Sequence, residues 1–189
     1  MPVELVVIGT SLGGFSALEI LLGNLPREFP VPIAVVQHRM ADADSTLSLV
    51  LQVHSALPLS EPDDKDPIEP GHVYMAPPDY HLLVERGSFA LSTEQRVCHA
   101  RPSIDVLFES AAHAYGTGVV GVILTGANHD GARGLACIKQ RGGFTIVESP
   151  TTAESPAMPK AAIAASRVDR ILPLSEIAAF LARHCAARA

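Results

Sequence analysis

Apolar runs of strand length alternate along this chain with stretches whose apolar residues recur at helical spacing, the pattern of βαβ units closing into a mostly parallel sheet. Residues 3–8, 32–36 and 119–124 are nearly continuous in Val, Ile and other apolar residues, as strands buried on both faces require. After the first run, Phe15, Leu18, Leu21 and Leu22 repeat with helical period up to Gly23, and Pro26 closes the turn. The second run leads through Met40-Ala41-Asp42-Ala43-Asp44, a loop of active-site length, into a helix over 46–55. Between 59 and 92 the character changes. Short strands at 72–76, 80–85 and 89–92, joined by Pro77-Pro78-Asp79 and Arg86-Gly87-Ser88, read as an antiparallel extension at one sheet edge.

Ser103 is placed to cap a helix over 104–115, and the third run is followed by a helix through Leu135 and Ile138 that stops at Gly142-Gly143. A strand at 145–148, a Pro-, Thr- and Ser-rich loop at 150–159 and an Ala-rich helix near 160–165 come next. A short strand at 170–172 and a terminal helix at 175–184 complete the chain. The expected architecture is α/β, a doubly wound, mostly parallel sheet with an antiparallel edge extension, in a three-layer sandwich. No repeat or linker divides the 189 residues, so residues 1–189 read as a single domain.

Composition narrows the function. A net charge of −6 without an aromatic-basic stripe disfavours a nucleic-acid partner. The apolar runs are too short for direct membrane insertion, and the N-terminus enters a strand without a basic leader or cleavage site, so the expected location is cytoplasmic. Cys98, Cys137 and Cys185 are odd in number and widely spaced, which fits neither a disulfide framework nor a metal knuckle. No metal and no cofactor are expected, and the oligomeric state is left open.

The three long runs end on chemistry. The first breaks into Gly9-Thr10-Ser11-Leu12-Gly13-Gly14, the second ends at Gln37-His38, and the third at Thr125-Gly126-Ala127-Asn128-His129-Asp130-Gly131. In an open α/β sheet, ligands bind outside the carboxyl ends of the strands. A hydroxyl, an imidazole and a carboxylate at three such ends are the parts of an activated serine nucleophile.

Gly9-Thr10-Ser11-Leu12-Gly13 fits the Gly-x-Ser-x-Gly elbow, but a glycine-rich turn before a helix also cradles phosphates. Two details favour the hydrolase. Ser11 takes the place of the fingerprint's middle glycine, and the second strand ends in His38 where a ribose-binding acid belongs. His129 is the main rival to His38 as base, although neighbours in a turn generally diverge, so it is poorly placed to pair with Asp130. A metal site built from His38, His129 and Asp130 lacks any local ligand spacing. His54, His72, His81, His99, His113 and His184 read as surface or packing residues. Arg39, Arg101 and Arg133 are candidates for the mouth of the site, with solvent-exposed charge the plainer reading of Arg39 and Arg133.

With these residues in order, the chain resembles the catalytic domain of the CheB-type chemotaxis protein-glutamate methylesterases. The likeness runs through residues 7–14, Val36-Gln37-His38, residues 70–78 and 101–108, Val122-Ile123-Leu124-Thr125-Gly126 with Asp130-Gly131, and Met158-Pro159. It implies Ser11 as nucleophile, His38 as general base and then acid, and Asp130 as orienting carboxylate. It implies backbone N–H groups of Leu12 and Ala127 as the oxyanion hole. Many relatives carry methionine where this chain has Ala127, so the side-chain packing over the second donor differs here.

The implied reaction is hydrolysis of glutamyl γ-methyl esters on the cytoplasmic helices of methyl-accepting chemotaxis receptors, with a related deamidation of receptor glutamines. Such helices are often Glu-rich and offer an acidic enzyme no general electrostatic attraction. The first catalytic strand starts at residue 3, leaving no room ahead of it for the phosphorylatable receiver domain that many relatives carry, so constitutive activity is the expectation. A catalytically degenerate, partner-binding member of the same fold is the alternative.

Overall fold

The structure is a computed structural model that describes residues 2–39 and 46–187. Seven parallel strands form the main sheet: β1 (Leu5–Thr10), β2 (Ile33–Gln37), β3 (Leu59–Ser60), β4 (Val73–Met75), β7 (Val119–Ile123), β8 (Phe144–Glu148) and β9 (Arg170–Leu172). Their spatial order is β3-β4-β2-β1-β7-β8-β9. Strand side chains alternate between two cores, as the pleat dictates. Val6, Ile8, Ile33 and Val35 face one core, whereas Leu5, Val7, Ala34 and Val36 face the other.

The first core is covered by α1 (Gly14–Gly23), α2 (Thr46–His54) and α6 (Leu174–Ala186), through Leu18, Leu21, Leu51, Ile177 and Leu181. The second is covered by α3 (Ile104–Tyr115), α4 (Ala132–Gln140) and α5 (Ala157–Ala165), through Leu107, Phe108, Leu135, Ile138 and Ala162. The layers are therefore helices, sheet, helices, as the sequence led us to expect.

The segment between 59 and 92 differs from its sequence reading in arrangement. The strand expected at 72–76 is β4, which lies inside the parallel sheet between β3 and β2. The antiparallel part is a separate hairpin, β5 (His81–Glu85) with β6 (Ser88–Ser92), and adds no strand to the sheet edge. It packs instead against α3: Leu82, Val84 and Phe89 join the second core, and the Val84 N–H donates to Ser110 Oγ at 3.0 Å. An apolar face on the hairpin needs a partner surface, and α3 provides it. The loop at 40–44 lies outside the described residues.

The chain runs outward from β1 through β2 to one side, then returns to lay β7, β8 and β9 on the other. β1 is thus the point where strand order reverses, and the crevice at its carboxyl end is where such sheets bind ligands. Phe108 lies fully buried in the second core, on the helix that the hairpin covers. Phe108→Ala is expected to destabilise the fold by about 3–5 kcal/mol. Urea unfolding should then show a lowered midpoint at an unchanged slope, and a loss under about 1 kcal/mol would contradict the packing described.

Candidate active site

Each of the three strand-end residues is held by a different local device. Ser11 follows β1, where its N–H donates to Thr125 O at 3.0 Å and its carbonyl accepts the Gly14 N–H at 2.9 Å. The second bond closes a tight turn over Ser11-Leu12-Gly13-Gly14. Gly13, at φ 76° and ψ −1°, has the backbone of the third position of a type II turn, which favours glycine. The glycine loop is thus an elbow that starts α1. Neither the Leu12 N–H nor the Ala127 N–H has an acceptor among the described residues.

His38 follows β2, the direct neighbour of β1, and its N–H donates to Thr10 O at 3.1 Å. Its Nε2 lies 2.7 Å from Asp130 Oδ2. Its other nitrogen, Nδ1, is 3.3 Å from the side-chain amide nitrogen of Asn128. Because the carboxylate only accepts, Nε2 carries the proton and Nδ1 is left as the basic lone pair. Ser11, Leu12, Gly13, Gln37, His38 and Glu154 line one open cleft of about 500 Å³. The Ser11 hydroxyl makes no hydrogen bond to His38 or to any other described residue. Catalytic hydrogen bonds of unliganded sites commonly close only when substrate arrives.

Asp130 is fully buried and accepts four donors. Besides His38, these are Ser103 Oγ at 2.9 Å, the Ile104 N–H at 2.8 Å and the Asp105 N–H at 3.0 Å. One expectation is corrected here. Ser103 stands at the N-cap of α3 but makes no side-chain cap bond, since its hydroxyl is turned to Asp130. Asp130 does not cap the helix that follows it; it caps α3 from across the fold. The reciprocal task falls to Asp105, whose Oδ1 accepts the Gly131 N–H at 3.0 Å and the Gly134 N–H at 2.7 Å at the start of α4.

Burial pushes the Asp130 carboxyl up, but the hydrogen bond from His38 and the two α3 N–H groups outweigh it, so the group is held below the usual carboxylate range. Asp105 goes the other way. Burial raises it, the Gly134 N–H only partly opposes that, and the negative Asp130 raises it further.

Several contributors escaped the sequence reading. Asn128 touches His38 Nδ1 and accepts the Asp130 N–H at 3.1 Å. Thr125 ties three segments together. Its carbonyl accepts the Ser11 N–H and the Thr10 hydroxyl, its own hydroxyl donates to Leu12 O at 2.9 Å, and its N–H donates to the buried Glu148 at 2.9 Å. Burial pushes the Glu148 carboxyl up. Asp105 carried one legible signal, an acid in the first turn of a helix. Nothing local pointed to Glu148.

The rivals separate from the site. His129 is exposed, with Nε2 3.7 Å from Cys98 Sγ in a neighbouring pocket. Cys98, Asp105 and Asp130 bring ligand atoms within 4.8 Å of one another, but both Asp130 oxygens and Asp105 Oδ1 already accept N–H or O–H donors, a poor fit for a cation. Arg39 is not solvent-exposed charge: its side chain is 7% exposed and paired with Glu61 at 2.7 Å. Arg133 is exposed and paired with Glu109, and Arg101 is bound to Asp79 and to the Thr93 and Glu94 carbonyls.

The Asp130 shift has a measurable consequence. A carboxyl lowered in the folded state contributes stability that is present above its ordinary value of 3.8 and is lost as pH falls through the folded value. The stability gap between wild type and Asp130→Asn should therefore be largest at neutral pH and close progressively below 3.8. Denaturant titrations across that range measure it, and a gap independent of pH would contradict the assigned charge state.

Comparison with known proteins identifies the family. The family model described as CheB methylesterase matches residues 6–181. A relative from Leptospira interrogans is 46% identical over 184 residues, 97% of this chain and 95% of that one. The protein-glutamate methylesterase/protein-glutamine glutaminase 2 of Anaeromyxobacter dehalogenans is 44% identical, covering 93% of this chain and 51% of that one. The crystal structure of the Thermotoga maritima CheB methylesterase catalytic domain superposes with a TM-score of 0.92 at 35% identity, over 97% of this chain and 100% of that one. With a family match that begins in β1 and ends in α6, the chain belongs to the CheB methylesterase family.

Proposed function

We propose that this protein is a serine esterase that removes methyl groups from glutamyl γ-methyl esters of chemoreceptors, and deamidates receptor glutamines by the same steps. The observation that carries this reading is the 2.7 Å contact between His38 Nε2 and the buried Asp130 carboxylate, at the strand end beside Ser11. That contact sets the tautomer in which Nδ1 is free to take a proton.

In this mechanism His38 Nδ1 removes the Ser11 proton as Oγ attacks the γ-carbonyl carbon. The tetrahedral oxyanion is met by the N–H groups of Leu12 and Ala127, which have no acceptor among the described residues. Collapse breaks the bond to methoxide, which leaves as methanol with the proton from His38. A water, deprotonated by the same imidazole, then hydrolyses the acyl-Ser11 ester and returns a glutamate. For a glutamine substrate, ammonia leaves in place of methanol. Each step uses groups of this chain and water.

Cytoplasmic helices of methyl-accepting chemotaxis receptors are the partners in this reading, which places the enzyme in the cytoplasm. No helix among the described residues is long and apolar enough to cross a membrane. A binding module of the same fold is the reading that the unlinked Ser11 hydroxyl favours. Labelling by an active-site fluorophosphonate separates the two, since only an activated serine reacts. Ser11→Ala is expected to lower methanol release from a methylated receptor peptide by about 10⁴-fold or more while the fold persists. Equal turnover by wild type and variant would remove the nucleophile from the assignment.

A further inference from the structure

We infer that Gln37 is a positioning residue, whose side-chain amide holds Ser11 and His38 in register beyond the point where the sheet can do so. This rests on the esterase reading and adds to it. The last backbone bond between β1 and β2 is the one from the His38 N–H to Thr10 O. Past it the two strands part: Ser11 turns into the elbow, and His38 leads away from the sheet. The Gln37 Nε2 donates to Ser11 O and to His38 O, both at 2.9 Å. One amide nitrogen thus bridges the residue bearing the nucleophile and the residue bearing the base.

The core alone gives no reason for an amide at this position. Ile33 and Val35, which precede Gln37 on the same face of β2, are apolar core residues, and an apolar side chain would continue that face. The amide also leaves a polar atom stranded, because Gln37 Oε1 is buried and has no partner among the described residues. A buried unsatisfied oxygen in a native fold calls for an explanation. Here both N–H groups of the amide are spent on the two carbonyls, and the oxygen faces inward as a result.

Gly14 belongs to the same device. A Cβ on Gly14 would fall 2.1 Å from Gln37 Oε1 and 2.4 Å from Thr10 Oγ1. The start of α1 therefore lies directly on the amide and restrains it. The adjacent glycines divide the work: Gly13 permits the turn, and Gly14 permits the amide beneath it.

Gln37 donates to backbone carbonyls, so its effect is exerted through the relative placement of Ser11 and His38. A misplacement of about 1 Å between reacting groups can cost about 10²-fold in rate. The signature of this role is a loss in kcat without a matching loss in substrate binding or stability.

The test compares wild type with Gln37→Met, which keeps length and bulk but cannot donate, and Gln37→Asn, which keeps the amide but is one methylene too short to span both carbonyls. Four quantities are measured: kcat and KM for a peptide carrying a glutamyl γ-methyl ester, the rate of Ser11 labelling by a fluorophosphonate, and Tm. The expected result for Gln37→Met is a kcat lowered about 10- to 100-fold. Labelling should slow by a similar factor, with KM within about twofold and Tm close to wild type. A folded Gln37→Met with wild-type kcat and labelling would overturn the inference, as would a loss that merely tracks Tm. If Gln37→Met does not fold, Gln37→Asn carries the same comparison. Wild type that neither releases methanol nor takes the label would sink the esterase reading itself. Active wild type with unimpaired variants would sink only the role of Gln37.

Discussion

Two aspartates exchange helix caps, and the order of the site follows from that exchange. Asp130, which precedes α4, accepts the first N–H groups of α3, while Asp105, in the first turn of α3, accepts N–H groups at the start of α4. Each helix start would otherwise leave buried donors without partners, so neither carboxylate can move without exposing the helix start it caps. The exchange fixes Asp130 in place and keeps it ionised, and its remaining capacity falls on His38. Orientation of the imidazole is thus anchored in helix packing on the far face of the sheet.

The placement of the candidate residues at strand ends was legible because it rests on local periodicity and chain order. Continuous apolar runs announce strands buried on both faces, and neighbouring parallel strands must release Ser11 and His38 at the same end. The layout around residue 73 was not legible. β3 and β4 are parallel although no helix of the usual crossover kind joins them, and short apolar strands look alike in parallel and antiparallel settings. The hairpin alternates as any half-buried strand pair would, and only α3 decides what its apolar face meets.

Contacts made across long stretches of chain were lost for a related reason. Ser103 has the residue type of a helix cap, and its position is right, yet the cap arrives from Asp130, 27 residues away. Arg39 reads locally as a surface charge after a strand, and its burial depends on Glu61 and the Ala76 carbonyl. Glu148 ends β8 and has an environment set by Thr125 and Thr152. Sequence pattern reports which face an element buries. It does not report which polar group from another element will be waiting there.

The sheet also ends in a particular way. Its outermost strands, β3 and β9, are two and three residues long, against six for β1. Such stubs present only a few open N–H and C=O groups to the outside. A foreign strand would find almost no ladder to extend, so the wide parallel platform that carries the chemistry is terminated against self-templated growth at both margins.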